Sequence, residues 1–193
     1  MVSISKIYNF TDLEKRVIKD LIRYSSTNNL ESARILKNNR NITNKFTIDE
    51  FEAKHFVYPM GTQLTEDSEK LKILVQKREE LLDNSTYIHT HPFSLPLSIP
   101  DLLQVFKNNL RKMVAVTLDG KCSVFENNQT ANPEPIINEL RETIIRLREE
   151  LKTHGGDDWI LKSPERFNNY KNMILQKSSE IAEKVGGKYY SDI

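Results

Sequence analysis

The spacing of hydrophobic residues near the start of the chain predicts one helix and a β-hairpin. Residues 11–14 read as a helix-capping box, and apolar side chains then recur at helical spacing. The polar run 25–29 predicts the end of this helix. Residues 30–37 and 42–48 have the composition of strands, and the polar run 38–41 between them predicts a turn.

The middle of the chain continues the alternation of strands and helices. Residues 51–58 mix polar and apolar side chains and read as a short strand. Residues 65–82 show the period of an amphipathic helix. Two apolar runs, 113–118 and 121–125, flank the Asp-Gly pair at 119–120, which is a strong hairpin signal.

The last third of the chain predicts a helical hairpin. Residues 127–135 contain two prolines and read as a linker, after which an apolar stripe over 137–151 and a second helical pattern over 163–185 follow. The stripe covers only about two heptads, which favours core packing over a coiled coil. We therefore predict a first domain over residues 1–128 and a helical extension over 129–193, whose helices offer a surface for association with a second copy or a partner.

Charge and composition exclude several classes of protein. The 193 residues include 28 basic and 27 acidic side chains, a net charge of +1, so we expect neither a nucleic acid nor an anionic membrane as partner. The single cysteine, Cys122, excludes an internal disulfide, a cysteine-rich zinc site and the paired cysteines of a zinc deaminase. No apolar run has the length of a signal peptide or of a membrane span, and we expect a cytoplasmic protein.

Two of the four histidines lie one residue apart in a segment that predicts a strand. If residues 86–91 form that strand, His89 and His91 project from the same face and can share one cation. Pro92 then ends the strand. Ser98, followed by Ile-Pro-Asp and an apolar run, predicts the start of a helix whose first turn contains Asp101.

Two imidazoles and one carboxylate form a plausible zinc site with an open fourth position, which is typical of catalytic zinc. Zinc-bound water has a pKa near 7 and supplies hydroxide at neutral pH. Iron or manganese can also occupy a site with two histidines and one carboxylate. Taken singly, a His-x-His pair is more often a surface pair than a metal site, and Ser98-x-x-Asp101 is better read as a capping box.

The His-Thr-His-Pro sequence at 89–92, with Ser98-x-x-Asp101 after it, resembles the signature of the JAMM (MPN-plus) zinc metalloproteases, which carry the JAB domain. The resemblance implies an α/β sandwich around a curved mixed sheet, with His89, His91 and Asp101 as zinc ligands. It also implies that Ser98 helps to stabilise the tetrahedral oxyanion. Six residues separate His91 from Ser98, whereas the family usually has seven.

The same resemblance implies a catalytic glutamate in the first strand. Residues 30–36 read Leu-Glu-Ser-Ala-Arg-Ile-Leu, where the family has a pattern like Glu-x-x-Gly-x-Leu, so Glu31 is the expected general base. Arg34 occupies the glycine position of that pattern, and Glu52 and Glu66 remain alternative bases. General acid–base catalysis of this kind typically contributes about 10²–10⁴-fold.

We therefore predict a zinc-dependent peptidase or isopeptidase, and the family's substrate class is ubiquitin-like or small sulfur-carrier proteins. Two alternatives stay open. A non-catalytic MPN-type scaffold or interaction protein would use the domain for binding alone, and a DNA-associated JAB protein like the RadC group would bind DNA.

Overall fold

The structure is a computed structural model, in which the chain forms one mixed sheet with helices on both faces. It describes residues 4, 6–28, 31–42, 52–53, 82–91, 94–128, 132–154 and 158–193. The helices in these ranges are α1 (Asp12–Asn28), α2 (Ile99–Lys107), α3 (Glu134–Thr153), α4 (Asp158–Leu161) and α5 (Pro164–Lys184). The strands are β1 (Glu31–Lys37), β2 (Arg40–Asn41), β3 (Glu52–Ala53), β4 (Thr86–His91), β5 (Lys112–Thr117), β6 (Cys122–Glu126) and β7 (Lys188–Ser191).

The sheet has the strand order β2-β1-β4-β5-β6-β7, and β3 pairs with the start of β1. Strand β4 lies at its centre, antiparallel to β1 and parallel to β5. The parallel pair is joined through α2, and the remaining pairs are antiparallel. A parallel neighbour requires a crossover connection, so the helix that follows the histidine strand has to return across a face of the sheet.

Alternation of side chains divides the core into two clusters. On one face, α1 packs residues such as Ile18 and Leu21 against Ile88 and Val114. On the opposite face, α2, α3 and α5 cover a cluster that includes Tyr87 and other strand residues. The predicted α/β class is therefore confirmed as a mixed sheet between two helical layers.

The start of α1 follows its predicted capping box. The Thr11 amide donates to the Glu14 carboxylate at 2.8 Å, and the Glu14 amide donates to Thr11 Oγ1 at 3.3 Å. The helix ends at Asn28, within the polar run 25–29 that predicted its end. Ser25 near this end is buried, and its hydroxyl bonds to residues of the sheet.

The first hairpin turns earlier than its composition suggested. Asn38 and Asn39 both have positive φ, 52° and 57°, as a two-residue type I′ turn requires. The returning strand begins at Arg40 rather than Ile42, with Leu36 opposite Asn41. Residues 43–48, most of the predicted strand 51–58 and the predicted helix 65–82 except Leu82 lie outside the described residues.

The second hairpin is confirmed with β5 and β6 on either side of residues 118–121, and Cys122 is a buried strand residue as expected.

The C-terminal segment contains an element that the sequence did not predict. After α5, residues Lys188–Ser191 form β7, which pairs antiparallel with β6. Residues on both sides of the predicted boundary at 128/129 thus contribute to one sheet and one core.

The two glycines that precede β7 form the turn between helix and strand. Gly186 has φ +63° and its amide donates to the Glu183 carbonyl, while the Gly187 amide donates to the Ala182 carbonyl at 2.9 Å. These two bonds form a Schellman motif, which caps the C-terminal end of α5. A Cβ on Gly187 would overlap the main-chain oxygen of Glu126 on β6.

An ionic contact fixes α1 to the start of β5. Lys112 Nζ lies 2.5 Å from Glu14 Oε1, and both side chains are less than a tenth exposed. The Lys112 ammonium also donates to the Tyr8 hydroxyl at 3.1 Å. Burial raises the pKa of Glu14, but the Lys112 and Thr11 contacts outweigh burial and lower the pKa below its usual value.

None of the helices in the described part of the chain combines the length and the apolar run that crossing a bilayer requires.

Candidate metal site

Strand β4 presents two histidines to the face that α2 covers. His89 lies between Ala33 of β1 and Ala115 of β5 in the sheet register, and both neighbours are fully buried. Because alanine side chains are small, they leave room above the sheet for the imidazole. His91 follows two residues later on the same face, where β5 ends at Thr117.

Helix α2 brings Asp101 to these histidines. Ser98 is the N-cap, with its Oγ accepting the Asp101 amide at 3.2 Å, while the Ser98 amide donates to Asp101 Oδ2 at 2.7 Å. Leu97 and Ile99 on either side of the cap are fully buried, and the Leu97 amide donates to Ser123 Oγ of β6. The helix start is therefore fixed to the sheet, and the loop between His91 and Ser98 is long enough for Asp101 to reach the histidines.

The three side chains form the group of potential metal ligands that was expected. His89 Nε2 lies 3.6 Å from Asp101 Oδ1, and His91 Nε2 lies 3.5 Å from Asp101 Oδ2. One donor atom from each residue lies within 4.8 Å of the others. The cluster could hold a metal ion.

The separations between donors can be compared with a tetrahedral zinc site. Ligand atoms about 2.0–2.1 Å from Zn²⁺ stand roughly 3.3 Å from one another. The two histidine–aspartate separations agree with this value to within about 0.3 Å. The two Nε2 atoms are 2.8 Å apart, so the imidazoles have to separate by roughly 0.5 Å to share one ion. The residues present fit zinc in type, number and approximate spacing.

A main-chain carbonyl orients the ring of His91. His91 Nδ1 lies 3.0 Å from the Leu95 carbonyl oxygen, which can only accept a hydrogen bond. The Nδ1–H group therefore donates to Leu95, and the Nε2 atom faces Asp101 and His89. Metal-bound histidines commonly have such a partner on the second nitrogen.

Burial and the nearby carboxylate act in opposite directions on the two histidines. Burial lowers the pKa of His89 below its usual value, and the charge of Asp101 offsets only part of this effect. Burial also lowers the pKa of His91, but the hydrogen bond and charge of Asp101 outweigh it, so that the pKa of His91 is raised. His89 therefore favours the neutral form, which is the form that binds metals.

The carboxyl group of Asp101 stays ionised. Burial raises its pKa, yet the contacts of its carboxylate with the imidazoles of His89 and His91 outweigh burial and hold that pKa well below its usual range. Asp101 Oδ2 also accepts a hydrogen bond from Ser98 Oγ at 2.7 Å. Oδ1 makes no such contact with Ser98 and is the oxygen directed at His89.

Glu31 lies at the start of β1 on the same face of the sheet. Since Ala33 is opposite His89, continuing this register by two residues along each strand would bring Glu31 to the level of His91. Glu31 is buried, and its charge contributes to the raised pKa of His91. Burial, followed by the charges of Asp101 and Glu31, raises the pKa of the neighbouring Tyr87 well above its usual value. The expected base therefore lies close to the expected ligands.

The other candidates have different positions. Ser98 lies at the site, but its hydroxyl donates to Asp101 in this arrangement. The side chain of Glu52 and the whole of Glu66 lie outside the described residues. Sequence reasoning missed the Leu95 carbonyl and a group of buried hydroxyls behind β4, formed by Ser25, Ser32 and Thr90. The sequence does not show that these hydroxyls lie together, because serine and threonine are common at helix ends and in strands.

Comparisons of this sequence with protein-family models and with curated proteins find no match.

Proposed function

We propose that the chain is a zinc-dependent metallohydrolase of the JAMM type, which cuts a peptide or isopeptide bond with water. One observation supports this proposal above the others. The donor atoms of His89, His91 and Asp101 converge within 4.8 Å, and a buried carboxylate, Glu31, lies on the same face of the sheet.

His89, His91 and Asp101 would hold the metal ion. Bound Zn²⁺ would supply a Lewis acid for the scissile carbonyl and lower the pKa of a coordinated water. The Leu95 carbonyl limits rotation of the His91 ring, and burial limits the movement of His89. A rigid set of ligands reduces the ordering that binding has to impose.

Glu31 would transfer the proton. In this role its carboxylate accepts a proton from the attacking water and later donates it to the leaving amine, so that the proton count is balanced over one turnover. Its expected position at the level of His91 on the neighbouring strand is suited to this transfer. Ser98 would first position Asp101, and a rotation of its hydroxyl away from Asp101 Oδ2 would be required for contact with the oxyanion.

The same proposal also specifies a fold family and a class of substrates. An α/β sandwich with the histidine strand at its centre, a crossover helix that is capped by Ser98 and contains Asp101, and a closing hairpin is compatible with a JAB/MPN-type domain. The substrates would then be ubiquitin-like or small sulfur-carrier proteins, cut near the C-terminal end of the modifier. A near-neutral net charge of +1 agrees with a protein rather than a nucleic acid as substrate.

The test begins with metal content. Zinc per chain is measured by mass spectrometry on protein purified without a histidine tag, for the wild type, His89→Ala and the control His154→Ala. His154 is an exposed histidine at the end of α3. We expect about one zinc in the wild type and in the control, and a large loss in His89→Ala.

Turnover is then measured with ubiquitin joined at its C-terminus to a fluorogenic coumarin amine, and with lysine-linked diubiquitin. Glu31→Gln should lose activity and keep zinc, whereas Glu52→Gln should keep both. Activity lost only in Glu52→Gln would overturn the role of Glu31. Zinc without turnover on either probe would favour the MPN-type scaffold, and salt-sensitive retention on DNA would favour the RadC-like alternative.

A further inference from the structure

Three buried hydroxyls lie directly behind the candidate metal site, on the face of the sheet that α1 covers. Ser25 Oγ of α1 lies 2.8 Å from Ser32 Oγ of β1 and 2.9 Å from Thr90 Oγ1 of β4. All three residues are at most 3% exposed. One side chain each from a helix and two strands therefore forms this hydroxyl cluster, defined as Ser25, Ser32 and Thr90.

The Thr90 side chain of the cluster also forms a hydrogen bond with the main chain of the neighbouring strand. Regular pairing of β1 with β4 runs from Leu36 opposite Thr86 to Ala33 opposite His89. At the next position the Ser32 amide donates to the Thr90 side chain, with N···Oγ1 of 2.9 Å. The Thr90 hydroxyl thus links β1 to β4 at the point where the register of the pair would continue to Glu31 and His91.

The residues of the cluster alternate with those of the site. Thr90 lies between His89 and His91, and Ser32 is the residue after Glu31. Because successive side chains of a strand point to opposite faces, the hydroxyls and the candidate catalytic groups occupy opposite sides of the same two strands. A shift of the Ser32 backbone would move Glu31 relative to His91.

We propose that the hydroxyl cluster is a positioning device, which holds Glu31 at its working distance from the metal ligands. The proposal rests on the proposed function. Thr90 and Ser25 are positioning residues, since they act through the backbone of β1 and β4 and touch no reacting atom. Proton transfer is sensitive to such placement, and a displacement of about 1 Å can cost about 10²-fold in rate.

The test compares Thr90→Val with Thr90→Ser and with a matched control. Valine has nearly the shape of threonine but lacks the hydroxyl, whereas serine retains it. The control is Thr143→Val, because Thr143 is also buried and donates to a main-chain carbonyl, that of Glu139, within α3, which contains none of the candidate site residues. Zinc per chain, kcat and KM on the coumarin probe are measured for each variant.

We expect Thr90→Val to keep its zinc and its KM and to lose about 10–100-fold in kcat. Thr90→Ser should recover most of that loss, and Thr143→Val should show none. Ser25→Ala removes the bridging hydroxyl and leaves the bond from the Ser32 amide to Thr90, so a smaller loss is expected. This variant also keeps the proposal testable if Thr90→Val does not fold. The proposal would be overturned if Thr90→Val and Ser25→Ala both kept the wild-type kcat. It would also be overturned if these variants lost zinc in proportion to their loss of kcat.

A second readout separates this proposal from the proposed function. The carboxyl carbon signal of Glu31 is followed by NMR in protein labelled with ¹³C-glutamate and assigned with Glu31→Gln. It should move in Thr90→Val, return towards its original position in Thr90→Ser and stay in place in Thr143→Val. If the wild type binds zinc but has no turnover, the proposed function fails while this measurement still decides whether the cluster places Glu31. An unmoved signal in both Thr90→Val and Ser25→Ala refutes the positioning role.

Discussion

Replacing Asp101 by Asn would separate the two proposed roles of this side chain, which are to cap α2 and to bind the metal ion. Oδ2 accepts hydrogen bonds from the Ser98 amide and hydroxyl at the start of α2, while Oδ1 faces His89. Asparagine retains an oxygen that can accept the capping bonds but has no charge for a metal ion. Ser98→Ala makes the complementary change, because it removes the capping hydroxyl and leaves the carboxylate in place.

The size of each effect can be worked out from these contacts. Loss of a helix cap costs about 0.5–2 kcal/mol. For a chain of 193 residues, each kcal/mol lowers Tm by about 2–4 °C, so Ser98→Ala should lower Tm by about 1–8 °C with or without zinc. Zinc at 100 times its Kd stabilises the folded state by about 2.7 kcal/mol, which corresponds to a rise of about 5–11 °C.

The assay is thermal unfolding of the wild type and both variants, in chelator and in excess zinc. The wild type and Ser98→Ala should both show the zinc-dependent rise. Asp101→Asn should lose most of it while its Tm in chelator stays close to that of the wild type. A full zinc-dependent rise in Asp101→Asn would refute the assignment of Asp101 as a ligand.

Two further predictions concern the parts of the fold that support the site. Glu14→Gln keeps a capping-box side chain but removes the carboxylate that pairs with the buried Lys112 ammonium, so we expect a loss of about 3–5 kcal/mol in urea unfolding near neutral pH. Because the pKa of Glu14 is lowered in the folded state, its contribution is complete above its usual value of 4.5 and is lost as the pH falls below it. The difference between wild type and Glu14→Gln should therefore shrink in acid, and a difference that is constant with pH would contradict the ion pair. Gly187→Ala should destabilise the fold by about 1–3 kcal/mol through overlap with Glu126, whereas the nearest atom to a Cβ on Gly186 is 3.8 Å away, so Gly186→Asn should be tolerated in equilibrium unfolding.

The sequence predicts the local features of this protein well, because they depend on neighbours in the chain. The capping boxes at Thr11 and Ser98 and the hairpin around Asp119-Gly120 each involve residues a few positions apart. The same holds for the two histidines, since alternation along one strand is enough to put them on one face. The position of Asp101 could also be predicted, because a helix start follows the histidine strand after only six residues.

Contacts between distant parts of the chain were not predictable in this way. Strand β7 pairs with β6 across more than 60 residues, and its Lys-Tyr-Tyr-Ser sequence is too short to identify a partner. The bond between Ser25 near the end of α1 and Thr90 of β4 joins residues 65 positions apart, and no local pattern identifies it. Nothing in the sequence marks the three residues of the hydroxyl cluster as neighbours, because only the folded chain brings them together.

The central position of β4 has a consequence for how a metal ion would enter and leave. A strand with partners on both sides has amide protons that exchange with solvent mainly when the whole domain unfolds. His89 and His91 therefore sit on a part of the chain that opens only with the domain, whereas Asp101 is the one candidate ligand that lies outside the sheet. We expect metal release to need only a small separation of these three side chains, and therefore to be much faster than the exchange of the β4 amides.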